Sequence, residues 1–322
     1  MSAQYSAPPR NPALISAVCA ARPGLALALL LGLSAVHLHA DDPGASPGLV
    51  RHYQAGETVA YTMRGVNQAR AYTIRYEARA QGSVKAAGAG KFVEEFSWTS
   101  LQVNGSAFPL SPASLQLRQQ LSLDPGYTFS IPDLSKVQPM LIGPITDLLT
   151  FYADAQLSMT QKPFGKPGDH FHVAYGKPSS WADGSYVVLG EDSIDFDGTF
   201  RSVDTAAGVA TVVVRHVPPA KPLIRLPAAW MQAPVVAGSP NNWVEVSRKA
   251  DGTYAAAVGK ETFEAVIRIS LESGRILSAT LDNPIEVVER DSKSASLADC
   301  GPPIRYGLRR QISLELDAAA KQ

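Results

Sequence analysis

His170 and His172 stand one residue apart. On a strand, side chains two apart share a face, so the two rings would project together, a workable beginning for a zinc-type site. Asp169 falls on the opposite face, while Phe171, Val173 and Tyr175 claim the buried side. His170 and His172 therefore read as a solvated strand face, and no metal is expected there. Glu191, Asp192, Asp195 and Asp197-Gly198 form an acidic cluster, yet a calcium loop needs several oxygens at fixed short spacing with a terminal Glu. Asp195 and Asp197 alternate with Ile194, Phe196 and Phe200, which puts them on the wet side of a strand.

Nucleophile and phosphate motifs are absent: there is no G-x-S-x-G, no H-E-x-x-H and no phosphate-cradling glycine loop. A hydrolytic triad could arise only by convergence in space. Cys300, beside Gly301-Pro302-Pro303, has no histidine or helix-start motif to activate it. The reading leans away from an enzyme, and no cofactor is expected. Two charges are more informative. Glu94 falls on the apolar face of Phe92, Phe96 and Trp98, and Arg310 falls on that of Tyr306, Leu308, Ile312 and Leu314. A charge on a buried face costs several kcal/mol unless paired or wetted. Either a strand end or bulge returns these two to water, or the inward face lines a cavity that uses a polar group.

Composition sets the frame for these residues. The chain has 322 residues, 45% of them hydrophobic, and its 29 Lys+Arg balance 29 Asp+Glu. That balance argues against a nucleic-acid partner, which needs clustered positive charge, and the apolar content argues against disorder. Leu25 to Val36 is an apolar run preceded by Arg10 and Arg22, with no acid before Asp41. This is the pattern of a secretory signal peptide, 1–40, cleaved after Ala40. A dozen residues span roughly 18 Å as a helix, short of a bilayer core. No membrane span is expected in the mature chain, and the location is periplasmic or extracellular.

The body, 41–322, reads as one β-rich domain. Tyr72, Ile74, Tyr76 and Ala78 alternate with Thr73, Arg75, Glu77 and Arg79. The same period recurs in Val59-Tyr61-Met63, in Leu115-Leu117-Leu121-Leu123, in Phe263-Ile267-Ile269 and from Tyr306 to Leu316. Clean alternation predicts antiparallel sheet, and Asn104-Gly105 and Asp251-Gly252 supply turns. One helix is expected, from Pro144 to about Leu157, with a shorter helical turn over 133–138 ended by Pro139. A sheet of about a dozen strands curls or closes. The expected fold is mainly β: a large curved antiparallel sheet or half-open β-barrel, with the helix packed in its concave face. The segment 216–242 is rich in proline but also in Leu223, Ile224, Trp230 and Met231, so it reads as a strap across the fold.

Ile145-Thr146-Asp147-Leu148-Leu149-Thr150-Phe151-Tyr152, set among strands such as Tyr72 to Ala78 in an exported chain, resembles the lipoprotein-carrier family. The resemblance implies a half-open β-barrel, plugged by helices, that holds acyl chains. It is one of architecture and transfers no functional residue. The chain is also similar in outline to exported β-rich bacterial proteins at large. The expected function is non-catalytic binding of an apolar or amphipathic, lipid-like ligand in a β-lined cavity. Tyr61, Tyr76, Phe96, Trp98, Leu148, Leu149, Trp230 and Met231 would line or cover it, with Glu94 and Arg310 as its polar groups. The alternatives are an envelope interaction module that docks a protein partner through the Pro-rich strap, and an exported hydrolase.

Overall fold

The computed structural model describes residues 49–69, 72–88, 90–161, 164–174, 179–181, 187–220, 224 and 242–317. The segment 1–40, Trp230, Met231 and most of the strap lie outside the described residues. The elements run β1 (Thr58–Gln68), β2 (Thr73–Ala86), β3 (Phe92–Val103), β4 (Ser106–Ala107), α1 (Pro112–Gln116), β5 (Gln119–Leu121) and α2 (Pro139–Thr160). They continue with β6 (His170–Val173), β7 (Ser179–Trp181), β8 (Val187–Asp192), β9 (Asp195–Asp204), β10 (Val209–Val217), β11 (Trp243–Arg248), β12 (Tyr254–Glu261), β13 (Phe263–Ser270), β14 (Ile276–Ser292) and β15 (Ile304–Leu316).

Among the described residues all fifteen strands belong to one antiparallel sheet that is not closed. The alternation dictates this. Val59, Tyr61 and Met63 of β1 are buried on one face, as are Tyr76, Ala78 and Ala80 of β2 and Ile312, Leu314 and Leu316 of β15. Antiparallel pairing in register then stacks them into a continuous inner surface. In β3 the inward set shifts from Glu94, Phe96 and Trp98 to Leu101, because a bulge places Arg79 opposite Ser100 and Ala80 opposite Trp98. Asn104 and Gly105, both at positive φ (50° and 80°), make the tight turn from β3 to β4.

The sheet forks at β14. One edge of this 17-residue strand pairs with β15 through both halves. The other edge pairs with β13 before Asn283 and with β12 after Pro284. Pro284 has no N–H to donate, so it suits the strand position where the ladder changes partner. From β13 one branch continues through β10 and β9 to β6, and from β12 the other continues through β11 and β8 to β7. Asn242 and Asn283 bind the fork: Asn242 bonds Glu261 through both its amide groups, and Asn283 Nδ2 donates to Glu261 Oε1 and to the Thr262 carbonyl.

The helix begins five residues earlier than the spacing predicts. Pro139 takes the first helical position, where a missing N–H costs nothing, and the expected turn ended by Pro139 is only the Leu134–Val137 turn that leads in. Pro144 lies inside α2. Leu115 and Leu117 are not strand residues. Ser111 accepts from the Ser114 N–H and starts α1 instead, leaving Leu115 exposed. Burial of α2 is broad: Leu148, Leu149, Phe151 and Tyr152 are all covered, although successive residues lie about 100° apart around the axis. No helix among the described residues is long and apolar enough to cross a membrane.

Candidate functional site

Among the buried polar groups of α2, three reach across to the sheet: Asp147, Tyr152 and Asp154. Each meets a partner on the sheet, and together they account for the charges that look misplaced in the sequence.

Arg310 lies on the inward face of β15 between Leu308 and Ile312. Its Nη2 donates to Asp147 Oδ1 at 2.5 Å, and the Tyr76 hydroxyl donates to Asp147 Oδ2 at 3.1 Å. Tyr76 can lie across the sheet because Gly65 faces it; a Cβ at Gly65 would stand 2.2 Å from the ring. Burial pushes the Asp147 pKa up, against the pull of Arg310 and Tyr76. Burial is the largest influence and works against the Arg310 charge, but Asp147 and Tyr76, with a smaller contribution from Glu261, together hold that pKa above its ordinary value. Arg310 is thus neither at a strand end nor at a bulge. It is turned inward and paired.

Pairing register puts Asn67 of β1 on one side of Arg310 and Asn283 of β14 on the other. Both asparagines are buried, 8% and 0% exposed. Asn67 Oδ1, Asn283 Oδ1 and Arg310 Nε are buried and make no hydrogen bond. One rung further along the ladder, Ala69, Leu308 and Ile285 are only half-buried. They line an open cleft of about 390 Å³ together with Gln68, Pro284, Glu286, Gly307 and Arg309, a volume within the usual range for small-molecule pockets.

Glu94 is enclosed in a different way. Arg51 Nε and Nη2 donate to its Oε1 at 3.1 and 2.8 Å, and the Tyr152 hydroxyl donates to its Oε2. Arg51 also bonds Glu57, which pairs with Arg275. Burial, reinforced by Glu94, holds the Tyr152 pKa well above the phenol range, so its proton stays in place. Both Glu94 oxygens are occupied by protein donors, so this cluster fastens α2 to β3 and leaves no side for a ligand.

Asp154 Oδ1 stands 2.8 Å from His216 Nε2, and the imidazole lies against Phe196 and Phe263 with ring centroids 4.5 and 3.6 Å away. Burial raises the Asp154 pKa, with His216 opposing. His216 Nδ1 has no hydrogen-bond partner, so no serine completes a triad at this pair.

The remaining expected residues divide clearly. Tyr61, Tyr76, Phe96, Trp98, Leu148 and Leu149 all belong to one packed core cluster. They touch one another and do not border the cleft. His170 and His172 are exposed, as the alternation predicts, with Nδ1 contacts to Thr199 (3.0 Å) and Asp197 (2.6 Å). No group of three ligand-type side chains that could hold a metal occurs among the described residues. Asp195 departs from expectation: it is buried, because β9 starts where the chain passes the fork and Ser193 bonds the Asn242 carbonyl. Burial keeps the Cys300 thiol pKa raised, away from a reactive thiolate. Asp147, Asp154, Arg51, Asn67 and Asn283 escape the sequence reading. A signal for the first two was present: carboxylates seven residues apart share a face of an otherwise apolar helix.

Compared with known protein families and with curated proteins, the chain matches no family and no curated protein.

Proposed function

We propose that the chain is an exported, non-catalytic protein of the periplasm or extracellular space that binds an apolar or amphipathic, lipid-like ligand. In this reading the sheet curves around α2 as a half-open barrel, as in the lipoprotein carriers that the sequence resembles. The broad burial of α2, Phe151 included, supports that curvature. The observation that carries the binding reading is the cleft where the end of β1 meets the middle of β14 and the first half of β15. Gln68, Pro284, Glu286, Gly307 and Arg309 are exposed on its open side, and the half-buried apolar residues Ala69, Ile285 and Leu308 alternate with them and back it. The aromatic residues first nominated then support the site from behind. Within the strap, Ile224 is buried against Val244, Val246 and Val258. That favours ligand binding over docking through the strap.

Gly307 gives a clean test. A Cβ there would meet only the Ile285 carbonyl, at an ordinary 3.8 Å, so Gly307→Leu fills the cleft without a backbone clash. Native mass spectrometry of the purified protein should find a lipid-sized adduct on the wild type, and the Gly307→Leu variant should lose it. Absence of any adduct, together with no uptake of added monoacyl lipid, would overturn the reading, as would equal loading of both proteins.

A further inference from the structure

Leu297, in the loop between β14 and β15, has a φ of 56°, in the left-handed region. Among the described residues the one other non-glycine there is Asn104, a residue type that tolerates it. For leucine the Cβ crowds the following carbonyl, so the backbone is strained. Such strain persists only where surrounding contacts impose it. Here those contacts are apolar: Leu297 is 3% exposed and joins Ile224 in one cluster with Val244, Val246, Ala256 and Val258 of β11 and β12. Among the described residues the hydrogen bonds of the loop run within it and to the end of β14. The Leu297 N–H donates to the Ser294 carbonyl, Ser292 Oγ to Asp299 Oδ1, and the Gly301 N–H to the Asp291 carbonyl. Swinging Leu297 outward would relieve the strain and break no hydrogen bond to β11 or β12.

The cluster lies beside the cleft. Glu286, which lines the cleft, and Val288 share one face of β14. Register sets Glu286 opposite Gly307, Val288 opposite Val258, and Val258 opposite Val244. Val288 is half-buried and packs against the cluster. One face of the sheet thus runs from Gly307 past Val288 to Ala256, which stands opposite Arg290. From Glu286 to Arg290 that path is about 13 Å along β14.

We propose that Leu297 is a displaceable plug, and that the space it fills receives the far end of a single unbranched acyl chain whose other end lies in the cleft. The inference rests on the binding reading above and adds the course of the chain and the group that guards its end. The occupant of that space is an aliphatic side chain and its walls are valines and an alanine, so it is fitted to saturated hydrocarbon. An acyl chain makes the same apolar contacts without a left-handed leucine, so chain and plug can exchange.

Calorimetric titration with two neutral probes, monobutanoylglycerol and monodecanoylglycerol, tests the plug, because only the longer chain reaches it. Leu297→Gly removes both the plug and the strain. Monodecanoylglycerol should bind this variant about tenfold tighter than the wild type, since the competing side chain is gone. Monobutanoylglycerol should bind both proteins alike. Leu297→Ala, which also empties the space, serves if the glycine variant folds poorly. In the wild type, monodecanoylglycerol should speed hydrogen exchange across 294–300, and monobutanoylglycerol should not. Adding Gly307→Leu to Leu297→Gly should abolish the gain, because the chain then has no cleft to start from. Equal affinity of monodecanoylglycerol for wild type and Leu297→Gly, an equal gain for both probes, or unchanged exchange in the loop would overturn the plug and leave the cleft reading standing. Failure of the wild type and Leu297→Gly alike to bind either probe would overturn the cleft reading and the plug with it.

Discussion

Replacing Arg310 with Met measures how α2 is held, and the structure sets the size of the effect. The Asp147 side chain is 5% exposed and that of Arg310 is 18%, so water screens the pair little. In Arg310→Met the carboxylate keeps only the Tyr76 hydroxyl. Removing one partner of a buried ion pair costs about 3–5 kcal/mol, or about 6–20 °C in melting temperature for a domain this large. Asp147→Leu should cost less, about 1–3 kcal/mol, because the long Arg310 side chain is already partly exposed and can turn its charge to water. The double variant removes both charges, and the Tyr76 hydroxyl keeps its contact with Met63 Sδ. It should fall within about 1 kcal/mol of the wild type. Urea unfolding followed by tryptophan fluorescence, with the slope checked for constancy across all four proteins, gives the cycle. Additive single and double effects, or a loss below about 1 kcal/mol for Arg310→Met, would refute the argument that Arg310 neutralises Asp147.

Other outcomes follow from the same geometry. Leu148, wholly buried on α2, should cost about 2–5 kcal/mol when cut to Ala, measured by the same unfolding assay; wild-type melting would place the helix outside the core. Replacing both His170 and His172 with Thr should change stability by less than about 0.5 kcal/mol, as for other exposed sites. Loss of a bound metal on elemental analysis of that variant would contradict this. The Asp154 carboxyl, raised above 3.8 by burial, binds more protons in the folded than in the unfolded state. Its contribution is therefore most favourable below about pH 3.8 and is lost as pH rises through its folded value. Stability measured from pH 3.5 to 7 should show that wild type loses ground to Asp154→Asn with rising pH; a difference that grows in the opposite direction would mean His216 dominates.

Period-two alternation made the β class, the antiparallel pairing and the buried stripes of β1, β2 and β15 legible before any coordinates. The helix was legible in type and burial but not in its start, since a proline serves equally at the first turn or within it, and only packing decides which. Leu115 and Leu117 misled because two apolar residues at spacing two fit a strand, whereas the Ser111 cap acted locally and started a short helix. Glu94 and Arg310 were visible as anomalies. Their partners were not, because Arg51 and Asp147 lie 43 and 163 residues away in sequence. The Asn67–Arg310–Asn283 rung was out of reach for a different reason. It depends on pairing between β1, β14 and β15, and register across such separations is a property of the folded sheet. The same separation hides the cleft, whose walls come from three strands.

The fork at β14 has a consequence for how the molecule can assemble. Among the described residues, β15 is the strand that joins β1, and with it the β2–β3 meander, to β14 and through β14 to both branches. Until β1 and β15 pair, the β1–β3 portion and the branches joined on β14 share no strand, and each presents a raw edge. Pairing of β1 with β15, which sets Tyr61 against Leu316, is therefore the step that commits the chain to its topology, and contacts of such long sequence separation make that commitment slow. Severing the chain between β14 and β15 leaves two incomplete sheets with exposed ladders, the condition in which strands find partners on other molecules.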